Sequence, residues 1–302
     1  MLGIKLRHAR MHLALLCSAL ACGACGSDQA NTADAAKEAA LENLEAMSRE
    51  HANDTTEPSP AAQLAPARPV ISQTMAYTEN QEELVYGYFS APADMFEPLP
   101  AVIMIHEWWG LNDNIRAMAD RLAGEGYIVF AVDLFNGRVA SSAGEARVLM
   151  MQAVEDPEAG NENIRAAFRF VSETAGAPRI GVIGWCFGGG WSLNTARLFP
   201  EELDASVIYY GQVTDDEEAL RSIGAPILGL FAAEDAGIKV ESVKAFEAAL
   251  QRLRKNHEVH IYPGVGHAFA NPTGTNYNAA AAEDAWRRTL EFLKLHLLIG
   301  ET

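Results

Sequence analysis

The chain has 302 residues, 49% of them apolar and 21% charged, an ordinary balance for a protein with a packed core. Its formal charge of −17 excludes electrostatic attraction to nucleic acid or to anionic membrane surfaces. Three of the four cysteines (Cys17, Cys22 and Cys25) precede residue 26, which leaves Cys186 without a partner for an internal disulfide in the rest of the chain.

The N-terminus begins with Lys5, Arg7 and Arg10, then an apolar stretch from Met11 to Ala21, then Cys22-Gly23-Ala24-Cys25-Gly26. Residues 1–25 read as a secretory signal, too short to span a bilayer stably. The cysteines at its end resemble a bacterial lipoprotein processing site, with Cys22 or Cys25 as the lipid-bearing residue. The alternative is ordinary cleavage after a small residue. Both imply export, either free in the periplasm or lipid-anchored in the envelope, and removing the signal takes the charge from −17 to −20. Residues 26–69 carry Ala, Glu, Asn and Thr with Pro58, Pro60, Pro66 and Pro69, which reads as a flexible spacer with no evident chemistry.

The folded domain is expected over 70–302. Glu83 to Ser90 alternates like an antiparallel edge strand, and Ala101 to His106 is a short all-apolar run suited to a strand buried on both faces. A helix is predicted from Asn112 to Gly124, then a strand from Tyr127 to Val132 and helices near Ser142–Met151 and Asn161–Thr174. Strand Ile180–Ile183 leads into helix Phe187–Leu198. Ala205–Tyr210 and Pro226–Phe231 read as strands, Val240–Arg254 as a helix, His257–Tyr262 as a strand and Ala279–Leu298 as a closing helix. This alternation predicts an α/β architecture, a mostly parallel central sheet with helices on both faces.

Chemistry gathers at the predicted carboxyl ends of these strands, where such sheets place their functional loops. Gly184-Trp185-Cys186-Phe187-Gly188, at a strand-to-helix turn, matches the G-x-nucleophile-x-G elbow of the α/β-hydrolase fold, with Cys as the nucleophile. The start of the following helix aims its positive end at the sulfur and favours the thiolate. Asp235 follows the next-to-last strand and His267 the last, giving the order nucleophile, acid, histidine. His267 is expected to move the proton and Asp235 to fix its tautomer, with Glu234 as the alternative acid. His106-Glu107-Trp108-Trp109-Gly110 ends the first buried strand. The N–H groups of Trp108 and Phe187 are the expected oxyanion hole. No ligand spacing joins His106, Glu107 and His267 into a metal site, so neither metal nor cofactor is expected.

With these residues in place, the chain resembles the dienelactone hydrolase family. The shared marks are 106–110, Asp133-Leu134-Phe135-Asn136-Gly137-Arg138, the elbow at 184–188, Tyr209-Tyr210-Gly211, Asp235 and Gly266-His267-Ala268-Phe269. The resemblance implies a Cys-His-Asp hydrolase acting on small-molecule lactones or activated esters through a thioester. It implies that Glu107 accepts the thiol proton when substrate enters, so that the thiolate appears only then, and that Arg138 binds a substrate carboxylate. Asn271 stands where the family has a second arginine, which weakens carboxylate recognition, and Trp109 is expected to line the substrate site. A non-catalytic envelope binding protein on the same scaffold is the competing reading. A redox thiol is disfavoured because no resolving Cys is present.

Overall fold

In a computed structural model the described residues are 45, 48, 49, 51, 54, 64–80 and 83–298. Residues 1–25, read as a signal in the sequence, with Cys22 and Cys25, and most of 26–69 lie outside them. Among the described residues no helix is long and apolar enough to cross a membrane.

Eight strands form one sheet: β1 (Val70–Asn80), β2 (Glu83–Pro92), β3 (Ala101–Ile105), β4 (Ile128–Val132), β5 (Ile180–Trp185), β6 (Ala205–Tyr209), β7 (Ile227–Ala232) and β8 (His257–Tyr262). Their spatial order is β1-β2-β4-β3-β5-β6-β7-β8. β1–β2 and β2–β4 pair antiparallel, and every later pair is parallel. Each residue of β3 to β7 is buried, the signature of strands covered on both faces, which is why they read as unbroken apolar runs. The architecture is the α/β-hydrolase type.

The helices are α1 (Asp113–Ala123), α2 (Ala143–Glu155), α3 (Pro157–Arg169), α4 (Phe187–Leu198), α5 (Glu217–Arg221), α6 (Val240–Arg252) and α7 (Ala279–Leu293). Caps set several starts. Asn112, Ser142, Asp156 and Asn278 each accept a backbone N–H from the first turn of α1, α2, α3 and α7. Single wide turns at Phe170–Thr174 and Lys294–Leu298 continue α3 and α7.

Two expectations need correction. Glu83–Ser90 is antiparallel but is not the edge, because β1 lies outside it, mostly exposed. Helix α5 has no counterpart in the sequence reading; at five residues it is too short to show a period.

The register aligns the carboxyl ends. Ile105 pairs with Gly184, Trp185 with Tyr209, and Ala232 with Tyr262. The chain leaves β3 toward β4 on one side and reaches β5 on the other, so the loops after β3 and β5 flank the point where strand order reverses. In open α/β sheets that crevice is the usual ligand site.

Candidate active site

Cys186 stands between β5 and α4 with φ 55° and ψ −118°, a strained backbone for a residue with a side chain. It is held there from both sides. Its N–H donates to Tyr209 O at 3.0 Å, and its carbonyl accepts Gly189 N–H at 3.0 Å. The flanking glycines are steric necessities. A Cβ on Gly184 would lie 2.0 Å from Gly188 O, and one on Gly188 would lie 2.3 Å from Ile105 O. The elbow thus packs backbone against backbone, with the thiol at the amino end of α4.

His267 follows β8 and Asp235 follows β7. His267 Nδ1 donates to Asp235 Oδ2 at 2.7 Å. The other oxygen, Oδ1, accepts the N–H groups of Gly237 (2.8 Å) and Ile238 (2.7 Å), so the carboxylate is fixed before it meets the ring. Glu234, the alternative acid, is exposed and makes no such bond. With Nδ1 engaged, Nε2 of His267 is left for the thiol; the donor atoms of Cys186 and His267 lie within 4.8 Å of each other. Sequence order and geometry agree on this group.

Glu107 is buried at the end of β3. Asn271 Nδ2 donates to its Oε2 at 2.9 Å, and Tyr210 O–H to its Oε1 at 3.4 Å. Asn271 Oδ1 in turn accepts from Thr273 N and Oγ1. Asn271, expected at the substrate, is a partner of Glu107, because an amide can donate to one side chain while its oxygen caps a turn. His106 has both ring nitrogens occupied: Nδ1 donates to Glu107 O at 2.6 Å and Nε2 accepts Leu134 N–H at 3.1 Å. It is a neutral, structural histidine.

Arg138, the expected carboxylate binder, hydrogen-bonds within its own turn. It sits on an exposed turn with Nε donating to Phe135 O at 3.2 Å, and it lines a cleft with Asn80, Leu134, Asn163 and Trp191. No contact among the described residues brings it to the triad. Trp109 is buried, its ring 5.1 Å from that of Trp108. The indole N–H groups of both tryptophans are buried without an acceptor among the described residues.

The largest surprise comes from residues read as spacer. His51 is 1% exposed, with its ring 4.9 Å from Trp108 and 5.3 Å from His267. Asp54 Oδ2 holds its Nδ1 at 2.5 Å, and Asp54 Oδ1 accepts Thr275 N–H and O–H at 2.7 and 2.9 Å. The donor atom of His51 lies within 4.8 Å of the Cys186 sulfur, which belongs to a residue 2% exposed. The only sequence signal was a His-x-x-Asp spacing in an otherwise low-complexity stretch.

Electrostatics follow from this enclosure. Burial alone pushes the Cys186 thiol up, but the charge and hydrogen bond of His267, with those of His51, outweigh it and bring it to about 6. Burial opposes a charge on His51, yet Asp54 and Cys186 raise it to about 9. Burial likewise opposes a charge on His267, but the Asp235 and Cys186 charges hold its pKa well above the usual value. For Glu107, burial and then the sulfur's charge raise the carboxyl to about 8. The two shifts favour a thiolate at Cys186 and a protonated carboxyl at Glu107, the states that a proton passed from sulfur to carboxylate would leave. Iodoacetamide alkylation in chelator-containing buffer is expected to lose rate only as pH falls through about 6. A midpoint near the ordinary thiol value of 9.0 would contradict this picture.

Comparisons with known proteins show the family of the chain. The profile of the dienelactone hydrolase family matches residues 85–297. A protein of Saccharolobus solfataricus with the provisional name carboxymethylenebutenolidase is 34% identical over 71% of this chain and 98% of its own length. Protein usf of Aquifex pyrophilus is 34% identical over 75% of this chain and all of its own. The crystal structure of a provisionally named dienelactone hydrolase from Klebsiella pneumoniae superposes with a TM-score of 0.65 at 27% identity, over 74% of this chain and 98% of that one. The chain belongs to the dienelactone hydrolase family of carboxylic ester hydrolases.

Proposed function

We propose that this protein hydrolyses lactones or activated esters through a thioester on Cys186, as an exported enzyme. One observation carries the reading: a buried imidazole clamped by Asp235 beside a thiol on a strained elbow. The thiolate attacks the carbonyl carbon and the oxyanion rests on the N–H groups of Trp108 and Phe187, the latter the first residue of α4 and so unused within the helix. His267 gives its Nε2 proton to the departing alkoxide. It then takes a proton from water, which cleaves the thioester and releases the acid.

Substrate chemistry follows from the leaving groups. A thiolate is readily expelled from a tetrahedral adduct, so the reaction runs forward best when the leaving group departs as readily as the sulfur. Enol lactones and aryl esters meet that condition better than plain alkyl esters or amides, which lean harder on the proton from His267. No arginine is bonded or ion-paired to the triad among the described residues, which favours substrates without an essential carboxylate. A turnover series over enol lactone, aryl ester, alkyl ester and amide tests this. Rates are expected to fall in that order, and an amide hydrolysed as fast as an aryl ester would refute the reading.

Glu107 holds the thiol proton away from the sulfur. Glu107→Gln keeps an acceptor for Asn271 but cannot receive a proton. It is expected to slow acylation by about 10²-fold with the melting temperature almost unchanged. Unaltered acylation would remove Glu107 from the mechanism.

A further inference from the structure

Two imidazoles and a thiol meet at one point, and only one imidazole is needed for hydrolysis. His51 Nδ1 is fixed by Asp54 and His267 Nδ1 by Asp235. Both Nε2 atoms are fully buried with no nitrogen or oxygen partner among the described residues. The donor atoms of His51, Cys186 and His267 all lie within 4.8 Å of one another. A carboxylate on the far nitrogen of an imidazole is how proteins orient a histidine toward a metal, and here the device occurs twice around one sulfur. A donor set of two imidazoles and a thiolate suits a borderline ion of the zinc type. Tetrahedral zinc, with bonds of about 2.0 Å to nitrogen and 2.3 Å to sulfur, needs donor separations of about 3.3–3.7 Å. Closing the present spacing takes roughly an ångström, within reach of a side-chain adjustment.

We propose that His51, Cys186 and His267 form a three-donor site for Zn²⁺, and that the bound ion latches His51 to the triad and silences it. On binding, the sulfur donates a lone pair to the metal, any proton on the thiol or on Nε2 leaves to solvent, and no electron is transferred. The lone pairs of sulfur and of His267 Nε2 are then unavailable for attack and proton transfer. Asp54 ties the latch to the loop at 275 through Thr275. The silencing rests on the hydrolase reading above, whereas the metal site does not.

The test uses the untagged full chain, stripped with chelator and titrated with Co²⁺ and then Zn²⁺. Co²⁺ is expected to give a near-ultraviolet thiolate-to-cobalt band with four-coordinate visible bands. Cys186→Ser should abolish the charge-transfer band. His51→Ala should weaken Co²⁺ binding at least tenfold, and Asp54→Ala by about 10–100-fold. Circular dichroism checks that each variant is folded. One equivalent of Zn²⁺ should stop aryl ester turnover in the wild type, with at least tenfold more needed for His51→Ala. Absence of the sulfur band, or equal cobalt affinity in folded His51→Ala, overturns the site. A cobalt band in a stripped protein that turns over no ester keeps the site and rejects the hydrolase reading. A cobalt band with zinc-insensitive turnover rejects the latch.

Discussion

Cys186→Ala is expected to lower kcat/KM for aryl esters by about 10³-fold or more, leaving the fold intact. The expected size comes from the behaviour of acting units in nucleophilic hydrolases, where loss of the nucleophile costs nearly as much as loss of the whole triad. His267 is oriented for proton transfer rather than attack, its Nδ1 engaged by Asp235. The fold should survive. Alanine keeps the Cβ that already occupies φ 55°, and the backbone bonds to Tyr209 O and Gly189 N are independent of the side chain. Turnover by the variant within tenfold of wild type would contradict the assignment of the nucleophile.

The second large effect is structural. Gly184→Ala drives a methyl to 2.0 Å from Gly188 O and 3.0 Å from Gly189 N, backbone atoms that cannot rotate away. The elbow must open or β5 must shift, although β5 is paired on both sides. Such overpacking against backbone is expected to cost about 4 kcal/mol or more. For a domain of this size that corresponds to a melting temperature lower by about 10 °C or more, with activity lost as well. Gly144→Ala is the control: it lies exposed in the first turn of α2 with nothing within 4 Å of a new Cβ. It should leave the midpoint unchanged or slightly raised. A Gly184→Ala protein that melts with the wild type would mean that the turn is not built this way.

What the sequence made legible was whatever has a local cause. Buried parallel strands announce themselves as all-apolar runs; Phe187–Leu198 and His257–Tyr262 coincide with α4 and β8 to the residue. The elbow was readable because its glycines answer a steric demand within five residues. Asp235 and His267 were readable because strand ends in a parallel sheet share one rim. The missing parts depend on contacts between distant segments. β1, with Ser, Gln, Thr and Glu on an exposed edge, has no apolar pattern to betray it. Asn271 meets Glu107 across 164 positions, and Asp54 meets Thr275 across 221. The role of His51 was hidden for the same reason. A lone histidine in an alanine- and proline-rich stretch carries no periodicity, and only the folded chain shows it over the thiol.

The proposed thioester would hold an acyl group on the Cys186 sulfur during turnover. The most direct measurement is rapid acid quench of the stripped protein with p-nitrophenyl acetate, followed by intact mass and peptide mapping. A single acetyl group on the peptide containing Cys186, labile to hydroxylamine and absent in Cys186→Ala, is the expected result. Turnover with no acyl mass on that peptide, or acyl mass on another residue at a competent rate, would contradict the thioester mechanism.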